Sequence, residues 1–388
     1  MKNSVNTIFK EFTGSEKNAG LVLLFCTIIS MFIANSSFGT AYTGFWQLEA
    51  GVPALDIHFN ITHWINDGLM TVFFLLVGLE IERELYAGEL HPVKNAILPL
   101  FGAVGGMLAP ALIFIAFNFN KATVNGFGIP MGTDIAFALG ILSLAGNRVP
   151  PAIKVLLTAI AIIDDLGSIL IIAIFYGSAL QYGFLMAAAG IFGLLLLLNR
   201  LKVHKIAPYI LLGLPMWYCM MRSGIHPTIS GVLLAFACPF AGGGAASPSI
   251  KLQHALHLPV AFVILPLFTL ANTAIPVSAG FLSGLTQPHA LGIGLGLLMG
   301  KPLGIALAFL VLVKTKVVKI PAGVSWYDVA ALGFIAGIGF TMSVFITQLA
   351  FTTDALVQSS KLMILLASCM AGFTGFLLFY FKKKQSPV

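Results

Sequence analysis

Apolar stretches of about twenty residues, the length of helix that crosses the hydrocarbon of a bilayer, recur along nearly all of this 388-residue chain. Charged residues make up only 9% of it, with a mean hydropathy of +0.97, against roughly 25% charged residues in soluble domains. In lipid every backbone N–H and C=O needs a partner within the protein, so segments like these are expected to be helices. The pattern predicts an all-α polytopic membrane protein, one integral-membrane domain over residues 1–388, with no room for a large soluble domain.

Twelve candidate spans fall near residues 18–35, 61–83, 96–118, 123–145, 152–176, 182–200, 205–221, 224–240, 254–275, 289–312, 328–350 and 358–381. The first is not read as a cleaved signal, because no small-x-small site follows its apolar core. With both termini cytoplasmic, seventeen of the 21 Lys and Arg fall inside and three, Lys121, Arg222 and Lys361, outside. One missed span would invert every later loop and spoil this positive-inside asymmetry. The net charge of +7 therefore reports topology, and no nucleic-acid partner is expected.

Ahead of the first span, Val5, Ile8, Phe9 and Phe12 recur at helical spacing beside Lys2 and Lys10, which predicts a cytoplasmic amphipathic segment over 1–17. The outer stretch 36–60 carries Trp46, Leu48, Gly51, Val52, Pro53, Leu55, Ile57 and Phe59, an alternation about a turn that reads as a β-hairpin. A hairpin at 45–60 is able to pair with a second copy, so a homodimer is expected. Residues 382–388 form a cytoplasmic tail. The four cysteines lie within predicted spans without metal-ligand spacing and read as small packing residues.

Two spans contain helix breakers: GFGIPMGTDIAFALG at 126–140 and LGFIAGIGFTMSVF at 332–345. These are the fourth and eleventh, the middle members of the triplets three to five and ten to twelve. Seven spans separate the triplets, so their orientations are opposite. Paired discontinuous helices in inverted repeats point to a transporter with its site at the breaks.

Four ionisable residues lie near the midpoints of their spans: Asp134, Asp164, Asp165 and Lys301. Charges at such depth are expensive and by default mark ion or proton handling. Adjacent helix residues point about 100° apart, so one of the acidic pair can face Lys301 while its neighbour faces water. Carboxylate oxygens suit a hard cation. A proton and a cation then compete for one site, which is sufficient for antiport. No resident cofactor is needed, and no enzyme activity is expected.

With FFLLVGLEIEREL at 73–85, PMGTDIAFALG at 130–140, AIIDDLGSI at 161–169, GKPLGI at 300–305 and GIGFTMSVFI at 337–346, the chain resembles bacterial sodium–proton antiporters of the NhaA family from its first span to its last. The resemblance implies electrogenic export of Na+ or Li+ from a bacterium across its inner membrane, driven by more than one entering H+. It implies that Asp165 is a principal cation ligand and Asp164 a proton carrier paired with Lys301. Thr133, Asp134 and the break at Gly337, Ile338, Gly339, Phe340 and Thr341 complete that site. Lys301 either carries a proton or only stabilises the structure.

Regulation by pH is expected at the cytoplasmic mouth, where Glu80, Arg83 and Glu84 end the second span and His254 and His257 begin the ninth; histidine titrates near neutrality. The family pattern has an acid where Gln253 stands here, and a basic residue where Glu82 stands. His226, on the outer side, matches a position that shapes the pH response in relatives, and Asp67 either lines an outward funnel or hydrogen-bonds locally. The rival readings are an intramembrane aspartyl protease, which needs its acids on facing helices and has no use for two broken ones, and a channel, which needs a continuous pore.

Overall fold

The computed structural model describes residues 2–53, 57–88, 91, 93–177, 179–244, 247–277 and 281–382. Among them, regular structure is helical apart from two isolated antiparallel bridges. The helices that matter below are α1 (Lys2–Ala34), α2 (Gly39–Trp46), α3 (Ile61–Tyr86), α4 (Val93–Asn118), α5 (Ile135–Ala145), α6 (Pro151–Phe175), α7 (Tyr182–Arg200), α8 (Ala207–Ser223), α9 (Ile229–Ala237), α10 (Pro248–Asn272), α11 (Pro288–Lys314), α12 (Trp326–Ala336), α13 (Phe340–Ala350) and α14 (Asp354–Phe381). Seven are long and apolar enough to cross a membrane by themselves, and ten spans result when each of three bent helix pairs counts as one.

Of the two remaining expected spans, one keeps its expected length, shifted by two residues, and the other is shorter than the sequence suggests. α8 has 17 residues and ends at Gly224, whose left-handed φ of 89° closes the helix. α9 has only 9 residues, because it starts after Pro227 and stops where Cys238 turns extended before Pro239.

The N-terminal segment is helical and continuous with the first span in α1, not a separate element; the side chains of residues 1–17, and with them the expected amphipathic face, lie outside the described residues. So do Leu55 at the hairpin tip and the tail beyond Lys382. In the outer stretch α2 ends on Trp46, the first residue that the alternation had assigned to extended chain. After it the backbone pairs antiparallel, Ala50 N–H to the Phe59 carbonyl at 2.8 Å and Val52 N–H to the Ile57 carbonyl at 2.9 Å.

Two compact units emerge. The first comprises Met1–Ile28, Pro92–Ser168 and Val277–Val388, and so holds both triplets apart from the last turns of α6. Each triplet runs helix, broken helix, helix: α4, the 3-10 segment Ala122–Met131 with α5, then α6; and α11, α12 with α13, then α14. The breaks bend their spans by 42° and 47°. α4 lies directly against α11, where a side chain at Gly304 would overlap the Gly105 carbonyl. That close approach removes Lys301, one turn earlier on α11, from any contact with lipid.

The second unit, Ile29–His91 with Ile169–Pro276, packs α3 against α9, again through a glycine, Gly231, set against the Thr71 carbonyl. Its core gathers Leu79, Leu195, Met216 and the fully buried Tyr209, whose hydroxyl donates to the Val203 carbonyl at 3.1 Å. A buried phenol is thus satisfied without a charged partner.

Candidate functional site

Pro130 cannot donate to a helix ladder, and the chain runs extended through Gly132 before Asp134 caps α5. In the second break Gly337 ends α12 where a side chain would lie 2.5 Å from the Leu297 carbonyl oxygen, so only glycine permits this crossing. Each break exposes one helix N-terminus and one segment end inside the first unit.

Asp134 occupies the crossing and serves both N-termini. Its Oδ1 accepts from Phe137 N–H at 3.0 Å, capping α5, and its Oδ2 accepts from Thr341 N–H at 3.0 Å and Thr341 Oγ1 at 2.5 Å, capping α13. Its own N–H donates to the Ile338 carbonyl at 2.7 Å. One buried carboxylate thereby answers the positive ends of two half-helices. Asp134→Ala is expected to destabilise the protein by about 1–3 kcal/mol, from lost caps and unpaired buried donors. Asp134→Asn, with one acceptor oxygen in place of two, should fall between, as read by thermal unfolding in detergent.

Thr133, Asp164 and Lys301 form the second cluster, each completely buried. Lys301 Nζ donates to Asp164 Oδ2 at 2.5 Å and to Thr133 Oγ1 at 2.7 Å. Thr133 in turn donates to the Ala336 carbonyl, the end of α12, at 2.9 Å. Its Oγ1 also sits 2.7 Å from Asp164 Oδ2, but a hydroxyl has one hydrogen, and with the ammonium serving the carboxylate that hydrogen satisfies the helix end. The ammonium helps offset the negative C-terminal end of α12 through this hydroxyl. Lys301 follows directly on a wide helical turn, Gly296–Gly300, a local irregularity frequent at functional sites.

Asp165 is 1% exposed, one position and about 100° further round α6. Asp164 Oδ1 is buried without a hydrogen-bond donor among the described residues, and so is Ser168 Oγ one helical turn on. Ser168 escaped the sequence reading, although its i+4 spacing from Asp164 put it on the same face. Among the described residues no three His, Cys, Asp or Glu are arranged around a common metal position. A cation here would draw on carboxylates with hydroxyl and carbonyl oxygens, a donor set suited to a hard ion.

The residues expected at the two mouths lie in the second unit. Arg83 pairs with Glu84 at 2.8 Å. Gln253, where the family pattern has an acid, donates to Glu80, and Ser249 Oγ donates to the buried Glu82 at 2.5 Å. His254 is exposed and half-buried His257 lies near it and Arg83. Asp67 sits in a wide helical turn, Trp64–Leu69. Its carboxylate lies 2.9 Å from His63 Nε2 and 3.6 Å from His226 Nε2. Trp217 Nε1 donates to its carbonyl at 3.1 Å. The i, i+4 spacing from Asp67 was the signal in the sequence that would have found His63.

The family model described as Na+/H+ antiporter 1 matches residues 10–379. A Na(+)/H(+) antiporter NhaA of Flavobacterium psychrophilum is 53% identical over 96% of this chain and 95% of its own length. Another, NhaA 1 of Flavobacterium johnsoniae, is 53% identical over 95% of both chains. The NhaA of Dechloromonas aromatica is 51% identical over 97% of this chain and 96% of its own. The chain belongs to the Na+/H+ antiporter family.

Proposed function

We propose that this protein exports Na+ or Li+ across a bacterial inner membrane in exchange for H+, by alternating access to a site at the crossing of its two broken spans. The observation that carries this reading is the buried Asp164–Lys301–Thr133 cluster beside Asp165: acids with one cation among them, in a place where apolar side chains would pack more cheaply. Cation and proton are exclusive occupants of these carboxylates. Asp165 is the principal cation ligand, Asp164 releases and regains a proton against Lys301, and Asp134 holds the half-helix ends. Glu80, Arg83, Glu84, His254, His257 and His226 set the pH response, and Asp67 lines the outer entrance. The excess of Lys and Arg on one side supports cytoplasmic termini, and Leu48 and Val52, exposed on the hairpin, support a homodimer through 45–60.

Proteoliposomes with an acid interior and a trapped pH dye test the exchange. Sodium added outside should alkalinise the interior as Na+ enters and H+ leaves, and lithium should do the same. A sodium conductance without proton counterflow would instead indicate a channel, and peptide cleavage without ion flux a protease. If more than one H+ moves per Na+, net positive charge leaves in this assay and opposes further exchange. Clamping the membrane potential with potassium and valinomycin should then accelerate alkalinisation. An unchanged rate would make the exchange electroneutral.

A further inference from the structure

Away from the polar site, the first unit contains an apolar cavity of about 290 Å³ between α1, α5 and α14, with Ile338 and Phe340 of the second break in its wall. Among the described residues no charged side chain borders it. Of its few polar side chains, Thr27 spends its hydroxyl on the Leu23 carbonyl at 2.8 Å, which leaves Ser368 Oγ as a single buried hydroxyl without a partner among the described residues. A stable buried water needs two to four polar partners, and apolar cavities stay dry and accept apolar guests. Water is therefore a poor occupant.

The cavity is continuous with the lipid-facing surface. Leu21, Leu24, Leu144 and Phe373 line it and are 44%, 42%, 51% and 64% exposed, and all four belong to helices that span the membrane, where the surrounding medium is hydrocarbon. A packing helix is about 10 Å across, too wide for a space of this volume, so a second copy's helix does not fit. A single hydrocarbon chain does.

We propose that this cavity binds one acyl chain of a membrane lipid, which enters sideways from the bilayer. Its inner end packs on Phe137 and Phe340, two rings in edge-to-face contact at 4.8 Å. Phe137 donates its N–H to Asp134, and Phe340 precedes Thr341, which donates to the same carboxylate. The chain thus braces the apolar side of the crossing whose polar side Asp134 holds. This binding does not depend on the ions that the protein exchanges.

The test reconstitutes the full chain in vesicles doped with a phospholipid whose acyl chain carries a photoactivatable diazirine, then maps adducts by peptide mass spectrometry. Residues 20–27 and 365–376 should be labelled about fivefold more than Leu211 and Leu214 of α8, whose exposure matches that of Phe373, a preference of about 1 kcal/mol. Cys369→Trp, which fills the cavity, should remove that excess, and Cys369→Ser should keep it. Leu144→Trp fills the cavity from α5 and serves should Cys369→Trp not fold. Even labelling of all exposed positions, or an excess that survives both Trp variants, would overturn the proposal.

Discussion

Asp165→Asn is expected to lower sodium-driven alkalinisation by at least about 100-fold, the upper range for disturbing a metal site's supporting groups and a lower bound for removing a principal ligand. The carboxamide keeps the shape of the side chain and loses its charge. At 1% exposure water cannot replace that charge, so the desolvated ion loses its main compensation. The loss should appear in the maximal rate as well as in apparent sodium affinity, because Asn also cannot exchange a proton for the cation. Thermal unfolding separates this from misfolding: the variant should unfold close to the parent temperature. Normal exchange by Asp165→Asn would remove this residue from the site.

Lys301→Met carries the second large effect. Removing one member of a buried ion pair leaves the other uncompensated, which costs about 3–5 kcal/mol. Among the described residues Asp164 retains only Thr133 as a neighbouring donor once the ammonium at 2.5 Å is gone, and Thr133 must then choose between Asp164 and the Ala336 carbonyl. Combining Lys301→Met with Asp164→Asn removes both charges, and most of the lost stability should return, since well-packed neutral replacements of buried pairs are often close to neutral. Thermal unfolding of the two single variants and the double variant forms a cycle. Additive losses would show that the pair does not act as a unit.

Much of the fold was legible because the bilayer imposes one rule on every segment. Apolar length and basic-residue asymmetry located the spans, and PMGTD with GIGF marked the two breaks, since Pro130 and the glycines Gly132, Gly337 and Gly339 weaken a ladder wherever they stand. Legibility failed where an end depends on local backbone geometry. The short α9, bounded by Pro227 and Pro239, and the helix α2, which ends on the first residue of the alternating stretch, were decided by turn formation and neighbours that hydropathy does not record.

For the candidate site, sequence by itself determined its ingredients: Asp134, Asp164, Asp165 and Lys301 near span midpoints, with one interruption inside each of two opposed triplets. Only the tertiary structure decided who meets whom. It put Asp134 on both half-helix N-termini and brought Lys301 directly to both Asp164 and Thr133. It also joined Gln253 to Glu80 and His63 with His226 to Asp67 in the second unit. The physical reason is the range of the forces: hydropathy is a property of each residue and sums along the chain, whereas a hydrogen bond depends on atoms a few ångströms apart. Which atoms those are is settled by close helix approaches at glycines such as Gly304 and Gly337.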